Sequence, residues 1–378
     1  MGGFDYDIAI IGGGLAGLTT AIQLRKKGYT VVLFEKNSFP FHRVCGEYIS
    51  FESWDYLIDC GIDLENMKLP QILKLKVSAV NGHLLTTNLD MGGFGISRYR
   101  IDGLLCARAR QLGVKIHDNC KVDAIQRISQ EYIITSPVGD HRVRMAIGSF
   151  GKRSNIDVQW KRGFTLQKPT KLNNYIGVKY HVRGADVSDD TIALHNFKNG
   201  YCGVSKIEDD KYCMCYLTTA ANLKAAGGID EMQRAYLYQN TYLKALFEHS
   251  DFLFAQPLSI SQISFDTKEP VYAGIPLIGD ACGMITPLCG NGMSMAMHSG
   301  KILVQLTERY LKEQISLDSM LKIYTTEWYK HFALRLRTGR LMQSYAGKTW
   351  QTNLLVMLMK NFPLLANKII KNTHGSKF

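Results

Sequence analysis

The sequence lacks any run of about 18 uncharged apolar residues, the minimum that a helix needs to cross a bilayer. Its first apolar segment, YDIAIIGGGLAGL, has neither a basic region before it nor a small-residue cleavage site after it, so we interpret it as part of the fold and not as a signal peptide. The 46% hydrophobic and 21% charged content is typical of a globular protein. We therefore expect no membrane-spanning segment.

Cysteine is present in an odd number and without the paired spacing of a zinc site. The nine cysteines are scattered, and no CxxC pair is repeated. Cys213 and Cys215 lie in the alternating run KYCMCYLT, where residues two apart share a strand face, so we expect sheet-facing thiols rather than metal ligands. We predict no metal site, and reduced thiols favour a cytoplasmic location.

Acidic residues are missing between Trp328 and Phe378, where nine Lys or Arg residues carry most of the net charge of +12. A solvated basic face fits this pattern, and so does a surface for anionic partners such as phospholipid headgroups or a prenyl pyrophosphate. The apolar stretch NLLVMLMKNFPLLANKII is interrupted by Lys360 and Pro363, which suits a segment that lies on a membrane without crossing it. Aromatic residues are too sparse to indicate nucleic-acid binding.

A strand, a glycine-rich turn, a helix and a second strand follow one another over residues 6–35. In the turn GGGLAG, Gly12 makes the tight turn and Gly14 lets the backbone approach a pyrophosphate. Gly17 lets the helix pack on the sheet, and Ala16 is small enough to lie beside it. The N-terminus of the helix offers free N–H groups to phosphates. This order of elements predicts a dinucleotide-binding unit.

An acidic residue ends the second strand. Glu35 lies about 20 residues after the glycines, where a carboxylate accepts hydrogen bonds from an adenosine ribose, and Lys36 follows along the same edge. These features alone do not separate NAD from FAD.

A second block, IPLIGDACGMITPLCGNGMSMAMHSG, favours FAD. An apolar strand ends at an aspartate that is placed to bind ribityl hydroxyls, and a long helix begins after the GNG turn. The positive end of that helix can stabilise the anion of a reduced flavin. The predicted cofactor contacts of this block are Gly279, Asp280, Gly290, Asn291, Gly292 and Met293.

These two blocks, with the stretch RVCGE from Arg43 to Glu47 and SRYRID from Ser97 to Asp102, resemble FAD-dependent oxidoreductases of the geranylgeranyl reductase family, within the p-hydroxybenzoate hydroxylase-like superfamily. The resemblance extends to about residue 345. It implies that Arg43, Cys45 and Gly46 lie along the flavin. It also implies that Arg98 reaches the cofactor phosphates or ribityl chain and that the backbone of Val122 meets the adenine.

The resemblance leaves two roles open for Cys45. Family reductases carry a cysteine here, so the thiol is a candidate for protonating the reduced substrate, whereas structural support of the flavin loop is the alternative. Glu47 is a candidate for orienting the substrate or a proton donor. Cys45 and Glu47 are the predicted catalytic residues.

The chain departs from the family pattern at two places. In the stretch GSFGKRS, Phe150 stands where the superfamily usually has an aspartate, which puts direct use of NAD(P)H in doubt. Reduction by a ferredoxin, by a reductase partner or by the substrate itself becomes the alternative. The segment GYCGVS lacks the tryptophan and the Phe-Pro of the family's aromatic motif, which weakens the case for geranylgeranyl itself. Tyr201, Val204 and Ser205 are the candidates for a substrate wall, with cross-strand packing as their alternative role.

The predicted fold class is α/β: a Rossmann-like FAD-binding domain of the glutathione reductase/p-hydroxybenzoate hydroxylase type, with a second, mixed β-sheet substrate domain. Four alternating segments between about 165 and 265 predict its strands, and IDEMQRAYLYQNTYLKALFEH predicts a covering helix. We expect FAD-binding segments at 1–75, 97–164 and 266–345, substrate-domain segments at 76–96 and 165–265, and a basic, apolar helical segment at 346–378.

The leading functional hypothesis is an FAD-dependent enzyme that reduces carbon–carbon double bonds of a lipophilic, isoprenoid-like substrate. The alternative is a monooxygenase that hydroxylates an aromatic or polyketide-like compound. Halogenation is disfavoured because the Trp-x-Trp-x-Ile-Pro signature is absent. A flavin-binding protein without activity is the non-enzymatic alternative.

Overall fold

The computed structural model describes residues 3–168, 174–345, 349–362 and 375–378. Its strands are β1 (Tyr6–Ile11), β2 (Val31–Phe34), β3 (Tyr48–Ser50), β4 (Gln71–Ser78), β5 (Leu84–Gly95), β6 (Lys115–His117), β7 (Ala124–Ile128), β8 (Glu131–Ser136), β9 (Gly139–Gly148), β10 (Tyr175–Arg183), β11 (Thr191–Phe197), β12 (Gly200–Ile207), β13 (Lys211–Thr219), β14 (Asp251–Phe252), β15 (Leu258–Ile263), β16 (Val271–Tyr272) and β17 (Ile275–Pro276). Its helices are α1 (Leu15–Lys26), α2 (Trp54–Asp59), α3 (Arg98–Gln111), α4 (Asn155–Gln159), α5 (Gly163–Leu166), α6 (Ala220–Ala226), α7 (Ile229–Tyr236), α8 (Thr241–His249), α9 (Gly292–Leu311), α10 (Leu317–Tyr345) and α11 (Thr349–Asn361).

The first sheet has the strand order β6-β2-β1-β9-β8-β7. Strands β6, β2, β1 and β9 are parallel, and β7, β8 and β9 form an antiparallel meander. Apolar residues fill β1 and β2 on both faces because helices cover this sheet, as is usual for parallel strands. Helix α1 packs against α9 and α3, and this packing brings the N-termini of α1 and α9 to the same edge of the sheet.

The second sheet has nine strands in the order β14-β10-β13-β12-β11-β4-β5-β3, with β15 also paired to β10. Its pairs are antiparallel except β11 with β4, which makes the sheet mixed. Helices α6, α7 and α8 cover one face and enclose a core with Met214 and Tyr216 of β13. The predicted architecture, a Rossmann-like sheet combined with a mixed sheet, is confirmed.

The predicted single helix over residues 229–249 is two helices. A 3-10 turn at Leu237–Gln239 ends α7, and the side chain of Asn240 accepts a hydrogen bond from the backbone N–H of Tyr242 to begin α8. An asparagine at this position favours a new helix start over continuation, because its side chain competes for backbone hydrogen bonds.

The second sheet takes strands from an early part of the chain. Both β3 and β4 pair in it, although all of β3 and most of β4 precede residue 76. The division of the chain into domains, with the boundaries given above, stays a prediction.

Two helices form the described part of the C-terminal region. Helix α10 packs on α9, and α11 packs on β5 through Val356 and Met359, which contact Ala79 and Leu85. Positions 346–348 and 363–374 of the predicted C-terminal segment lie outside the described residues. Over the described ranges, no helix combines the length and the apolar content needed to traverse a bilayer.

Candidate active site

The glycine turn between β1 and α1 has no room for side chains at two positions. Gly12 has a φ of +111°, and a Cβ atom there would lie 2.2 Å from the carbonyl oxygen of Ser149. A Cβ atom on Gly17 would lie 2.0 Å from the carbonyl oxygen of Gly12. At Gly14 the nearest atom to such a Cβ is Nη2 of Arg98, at 3.8 Å, so this side of the turn is open. An open backbone edge is what a pyrophosphate requires.

Two helix N-termini meet at this edge without side-chain caps. Neither α1 nor α9 has a capping side chain or an acidic residue in its first turn. The amide of Asn291 is turned away from α9 and donates to Oε1 of Glu52 at 2.8 Å. A Cβ on Gly279 would lie 3.2 Å from that of Ala16, so the Gly279-Asp280 turn packs directly on α1. The uncapped N–H groups and both positive helix ends suit an anionic group.

A charged network crosses the glycine turn. Oε2 of Glu35 accepts from the backbone N–H of Gly13 at 2.9 Å and from Nη2 of Arg43 at 3.2 Å. Nε of Arg43 donates to Asp102 at 3.0 Å, and Arg98 donates twice to the same carboxylate at 2.8 Å. Oε1 of Glu35 accepts from the backbone N–H and the side-chain amide of Asn37, each at 3.1 Å, so a ribose hydroxyl would take the place of one of these donors. Arg43 therefore lies over the glycine turn, between Glu35 and Asp102.

Asp280 lies near two lysine ammonium groups at the edge formed by the two helix N-termini. It is partly exposed, and no donor among the described residues lies within hydrogen-bond distance of its carboxylate. Burial raises the pKa of Asp280, against the opposing charges of Lys268 and Lys152. Burial lowers the pKa of Lys152 to about 8; the charge of Asp280 opposes this shift, and the nearby ammonium group of Lys268 adds to it. An unpartnered carboxylate beside two cations suits a ligand that has both hydroxyls and phosphates.

These features fit FAD. The open glycine turn and the two helix ends would hold the pyrophosphate, Glu35 the adenosine ribose, and Asp280 the ribityl hydroxyls. Val122 is buried near this edge, and its carbonyl accepts from Asn155 at 3.0 Å, which leaves its N–H for the adenine. Lys36 is exposed and makes no contact that assigns it a role.

The aromatic ring of Phe150 packs against its neighbours at the position where the superfamily usually has an aspartate. Its ring meets Trp160 edge to face, with centroids 6.0 Å apart, and its Cα would lie 2.9 Å from a Cβ on Gly12. This position therefore supplies apolar contact beneath the glycine turn, and no charge.

The loop that contains Cys45 lies between the N-terminus of α9 and the second sheet. Sγ of Cys45 is 3.7 Å from Sδ of Met293, and the thiol of Cys213 donates to the carbonyl of Cys45 at 3.2 Å. Burial raises the pKa of the Cys45 thiol, so it is protonated at neutral pH. A Cβ on Gly46 would meet no protein atom within 4 Å, which leaves space along this loop.

Glu47 is the centre of a buried polar cluster. Its side chain accepts from the backbone N–H of Arg98 at 2.7 Å, from Nζ of Lys179 at 2.5 Å and from Nε2 of His181 at 2.6 Å. Burial alone raises the pKa of Glu47, but the hydrogen bond from His181 and the charge of Lys179 outweigh it and hold this pKa below its usual value. Glu47 is therefore a carboxylate.

The same cluster brings together a ligand set that the sequence did not predict. Atoms of Glu47, His181 and Cys213 that could bind a metal lie within 4.8 Å of one another. The ammonium group of Lys179 already contacts the Glu47 carboxylate, so the buried charge is neutralised without a cation. We therefore interpret this cluster as an ion-pair network.

The predicted substrate wall divides between the two faces of β12. Tyr201 and Ser205 lie on the face toward the Cys45 loop, whereas Val204 packs in the opposite core beneath the helices. Val204 therefore does not share a wall with Tyr201, because successive residues of a strand face opposite ways. The hydroxyls of Tyr201 and Ser205 are buried and have no hydrogen-bond partner among the described residues.

Two positions on this inner face remain accessible. Gly203 and Cys215 are a cross-strand pair and are partly exposed, whereas the strand residues around them are buried. An apolar cluster borders the pair; its members are Tyr175, Leu194, Tyr201, Leu217, Ile263 and Phe265, with Met284 and Leu288 packed against them. Together these residues form an apolar cluster between the inner face of the second sheet and the loop that leads into α9.

Comparisons with known proteins agree with this geometry. A family model described as an NAD(P)-binding Rossmann-like domain matches residues 10–68. The digeranylgeranylglycerophospholipid reductase of Methanocaldococcus jannaschii is 22% identical over 354 residues, which cover 89% of this chain and 87% of that protein. The flavin-dependent halogenase armH1 of Armillaria mellea is 30% identical over 342 residues, which cover 78% of this chain and 63% of that protein.

Solved structures share the fold over nearly the whole chain. A triple mutant of the flavin-dependent brominase Bmp2 has a TM-score of 0.80 at 16% identity and covers 98% of this chain and 96% of that one. A geranylgeranyl bacteriochlorophyll reductase-like protein of Thermoplasma acidophilum has a TM-score of 0.71 at 16% identity, with 98% and 92% covered. The motifs, the fold and these relatives together support an FAD-dependent oxidoreductase, and the chain is similar over most of its length to a digeranylgeranylglycerophospholipid reductase.

Proposed function

We propose that the protein reduces carbon–carbon double bonds of a lipophilic, isoprenoid-like substrate. FAD, when bound, supplies the hydride for such a reduction. The observation that carries the proposal is the apolar cluster of aromatic and aliphatic side chains on the inner face of the second sheet, which shares this face with the strand residues that contact the Cys45 loop. Such a surface binds hydrocarbon and excludes water.

Support for an amphiphilic substrate comes from two hydroxyl groups on the same face of the second sheet as this apolar cluster. The hydroxyls of Tyr201 and Ser205 lack a partner among the described residues, and buried polar groups of this kind are costly unless a ligand or water pairs with them. A substrate with a long apolar chain and a few polar groups would satisfy both. The digeranylgeranylglycerophospholipid named for one relative has this character.

The thiol of Cys45 is the proposed proton donor. It is protonated at neutral pH, since burial raises its pKa, and it lies at the N-terminus of α9 beside Met293. In a double-bond reduction one carbon receives hydride and the other receives a proton, so a neutral thiol at the flavin loop can supply the second. Glu47 holds the other side of the loop through Lys179 and His181.

The test is the mass of the product. The purified holoenzyme is reduced anaerobically and mixed with digeranylgeranylglycerophospholipid in detergent micelles. The proposal expects a gain of two hydrogens per reduced double bond and reoxidation of the flavin without oxygen. Cys45→Ser should slow this by about 100-fold if the thiol donates the proton, whereas Cys60→Ser, a buried cysteine remote from that apolar cluster, should not change it.

Flavin-dependent halogenation is the second candidate, because armH1 shares 30% of aligned residues and Bmp2 shares the fold. The monooxygenase alternative uses the same cofactor and oxygen. Both reactions consume oxygen, so a parallel reaction of the reduced holoenzyme in aerated buffer is analysed by the same mass measurement. Halogenation with bromide or chloride present gives a halogen isotope pattern, and hydroxylation gives one added oxygen atom. Either product, with no hydrogenated lipid, would replace the reductase proposal.

We infer that electrons reach the cofactor from a donor protein rather than directly from NAD(P)H. Phe150 provides no carboxylate at the position where relatives of this superfamily shape the nicotinamide path. Anaerobic stopped-flow absorbance compares reduction of the bound flavin by NADPH, NADH and a reduced ferredoxin. Rapid reduction by either nicotinamide would refute this part of the proposal.

We also propose that the C-terminal helices contact an anionic membrane surface. Large apolar side chains are exposed on this region, and the segment from residue 328 onward contains no acid. The exposed apolar residues are Tyr329, Leu334, Leu341, Tyr345, Trp350, Leu354, Met357 and Phe362.

Vesicle co-sedimentation tests this contact. Phosphatidylglycerol vesicles should bind the protein more strongly than phosphatidylcholine vesicles, and the double variant Leu341→Ser, Trp350→Ser should lose most of that binding. Val138→Ser, an exposed apolar residue in the turn between β8 and β9, is the matched control. Equal binding to both lipids, or no effect of the double variant, would contradict the proposal.

A further inference from the structure

We propose that His42, His181, Glu47 and Lys179 form a proton relay that runs from the protein surface to the Cys45 loop. The inference rests on the proposed reduction, because that reaction consumes a proton at a partly exposed thiol that bound cofactor and substrate would shield from solvent. Each turnover must therefore replace the proton that the loop gives to the substrate. The buried cluster supplies a connected set of groups for this transfer.

The inner half of the relay is a continuous hydrogen-bonded chain. His181 donates to one oxygen of Glu47 at 2.6 Å, and Lys179 donates to the other oxygen at 2.5 Å. Nζ of Lys179 also donates to the carbonyl of Arg43 at 3.1 Å, two residues before Cys45. The side chains of Lys179 and Glu47 are 0% exposed, so a proton reaches them only through neighbouring protein groups.

His42 is the proposed outer member of the relay, because it is partly exposed and lies beside His181. The rings of His42 and His181 meet edge to face with centroids 5.3 Å apart. On its other side, His42 stacks on Tyr99, which is 43% exposed, at a centroid distance of 4.7 Å. Nδ1 of His42 is buried and has no hydrogen-bond partner among the described residues. This nitrogen is free to accept a proton or to bind a water that carries one.

The charges around the relay suit transient protonation. The groups that face it are Lys179, His181 and Cys213 from the second sheet, Lys211 at the start of β13, the backbone N–H of Arg98 from α3, and Cys45 and Glu47 from the loop. Burial, and then the charges of Lys179 and His181, lower the pKa of His42, so its ring is neutral at neutral pH. A neutral ring passes protons without holding them.

The proton balance of one turnover is simple. The Cys45 thiol gives its proton to the substrate carbon and becomes a thiolate, and Lys179, whose ammonium group is at the carbonyl of Arg43 two residues before Cys45, returns a proton to it through a water molecule. Lys179 recovers its proton through Glu47 and His181, and His181 recovers one from solvent through His42. One proton enters at the surface and one leaves in the product, so the relay returns to its starting state. The electron pair for the new bond comes from the cofactor.

A purely structural role predicts a different response to mutation. If the cluster only fixes the Cys45 loop to the second sheet, glutamine at either histidine keeps a donor in place and leaves turnover unchanged. If the cluster carries protons, the same glutamine blocks transfer because an amide does not titrate. His42→Gln and His181→Gln are therefore the informative variants. His83→Gln, in the exposed turn between β4 and β5, is the matched control.

Stopped-flow reoxidation of the reduced holoenzyme by digeranylgeranylglycerophospholipid micelles, from about pH 6 to about pH 9, tests the relay. We expect His181→Gln to slow reoxidation by about 10- to 100-fold and His42→Gln by about 10-fold. We also expect added imidazole to restore the rate of His42→Gln, because this end of the relay reaches the surface. Both variants should bind FAD as tightly as the parent. Parent-like rates and pH profiles in both variants would overturn the proposal.

A lipid-independent measurement separates failure of the relay from failure of the proposed reaction. In the FAD-loaded protein labelled at histidine, ring resonances of His42 and His181 are titrated by NMR. Lys179→Met should raise the pKa of His42 by removing a nearby positive charge, and His181→Gln should shift it as well. If His42 titrates independently of both residues, the relay is refuted whatever the substrate is. If coupling is seen and the lipid fails to react, only the substrate assignment falls.

Discussion

The substitution Arg162→Met should destabilise the cofactor side of the molecule and weaken FAD binding. The guanidinium of Arg162 is fully buried and donates to Asp157 at 2.8 Å, to the carbonyl of Ala281 at 2.8 Å and to Glu269 at 3.1 Å. Ala281 directly follows Asp280. Arg162 therefore anchors the turn that presents the proposed ribityl ligand.

The size of the effect follows from burial. Removing one partner of a buried ion pair leaves the other charge uncompensated and costs about 3–5 kcal/mol. The contact with Glu269 adds little, since that carboxylate is half-exposed. Asp157 keeps its hydrogen bonds from Ser154, so the helix cap survives. We expect a loss of about 3–5 kcal/mol in the free energy of unfolding and an increase of about 10-fold in the Kd for FAD.

Urea unfolding followed by tryptophan fluorescence measures the first quantity, and quenching of flavin fluorescence measures the second. Arg100→Met is the control, because Arg100 pairs with Asp209 on the surface and should cost at most about 1 kcal/mol. If Arg162→Met shifts the unfolding midpoint no further than Arg100→Met, the reasoning from burial is refuted. If stability falls while FAD affinity stays unchanged, the link from Arg162 to the Asp280 turn is wrong.

Three further predictions address the cofactor site and the second sheet. Gly46→Val should change the stability of the apoprotein by no more than about 0.5 kcal/mol, because an added Cβ would meet no protein atom within 4 Å. It should lower FAD affinity by at least about 10-fold, because the side chain would enter the proposed flavin space; calorimetric titration with FAD measures this. FAD affinity should fall as the pH rises through about 8, because Lys152, whose pKa is lowered to about 8, is charged below this pH and neutral above it, and Lys152→Gln should flatten that dependence in the same titration. Asn240→Ala should lower the free energy of unfolding by about 1–3 kcal/mol, because it removes the cap of α8 and leaves the buried Ser78 hydroxyl and Asn196 carbonyl without their donor; urea unfolding against the exposed-site control Asn66→Ala measures this.

The cofactor framework was predictable from sequence because its determinants are local. Gly12, Gly14 and Gly17 act within one strand–turn–helix unit, and the conformational demand at each is visible in the residue type. Glu35 follows at a fixed distance because the helix and second strand have defined lengths.

The polar cluster at Glu47 could not be predicted in the same way. Period-2 alternation places Lys179 and His181 on one face of a strand, but it does not say which face meets the Cys45 loop. Glu47 and Lys179 are 132 positions apart in the chain, and only the packing of the second sheet against the first domain brings them together. A lysine and a histidine two residues apart in an otherwise apolar strand are the signal that sequence reasoning missed.

The predicted substrate wall of Tyr201, Val204 and Ser205 is wrong at Val204 for a similar reason. The prediction treats the segment as one surface, whereas a strand divides its residues between two faces. Tyr201, Gly203 and Ser205 follow one another at intervals of two residues, so their side chains share the inner face. Val204 lies between two of them and faces the opposite, helix-covered core.

The backbone at Glu47 is strained where the loop of Cys45 contacts both α3 and the second sheet. Glu47 has a φ of +57°, a conformation that costs a residue with a side chain roughly 1 kcal/mol or more. This strain persists because three donors from β10 and α3 hold the carboxylate, and α3 belongs to the cofactor domain while β10 belongs to the second sheet. Replacing Glu47 would release the loop from both domains at once. The position of the Cys45 loop is therefore set by an ion-pair network that joins α3 to the second sheet, so changes in the second sheet should reach the proposed proton donor without altering the glycine turn.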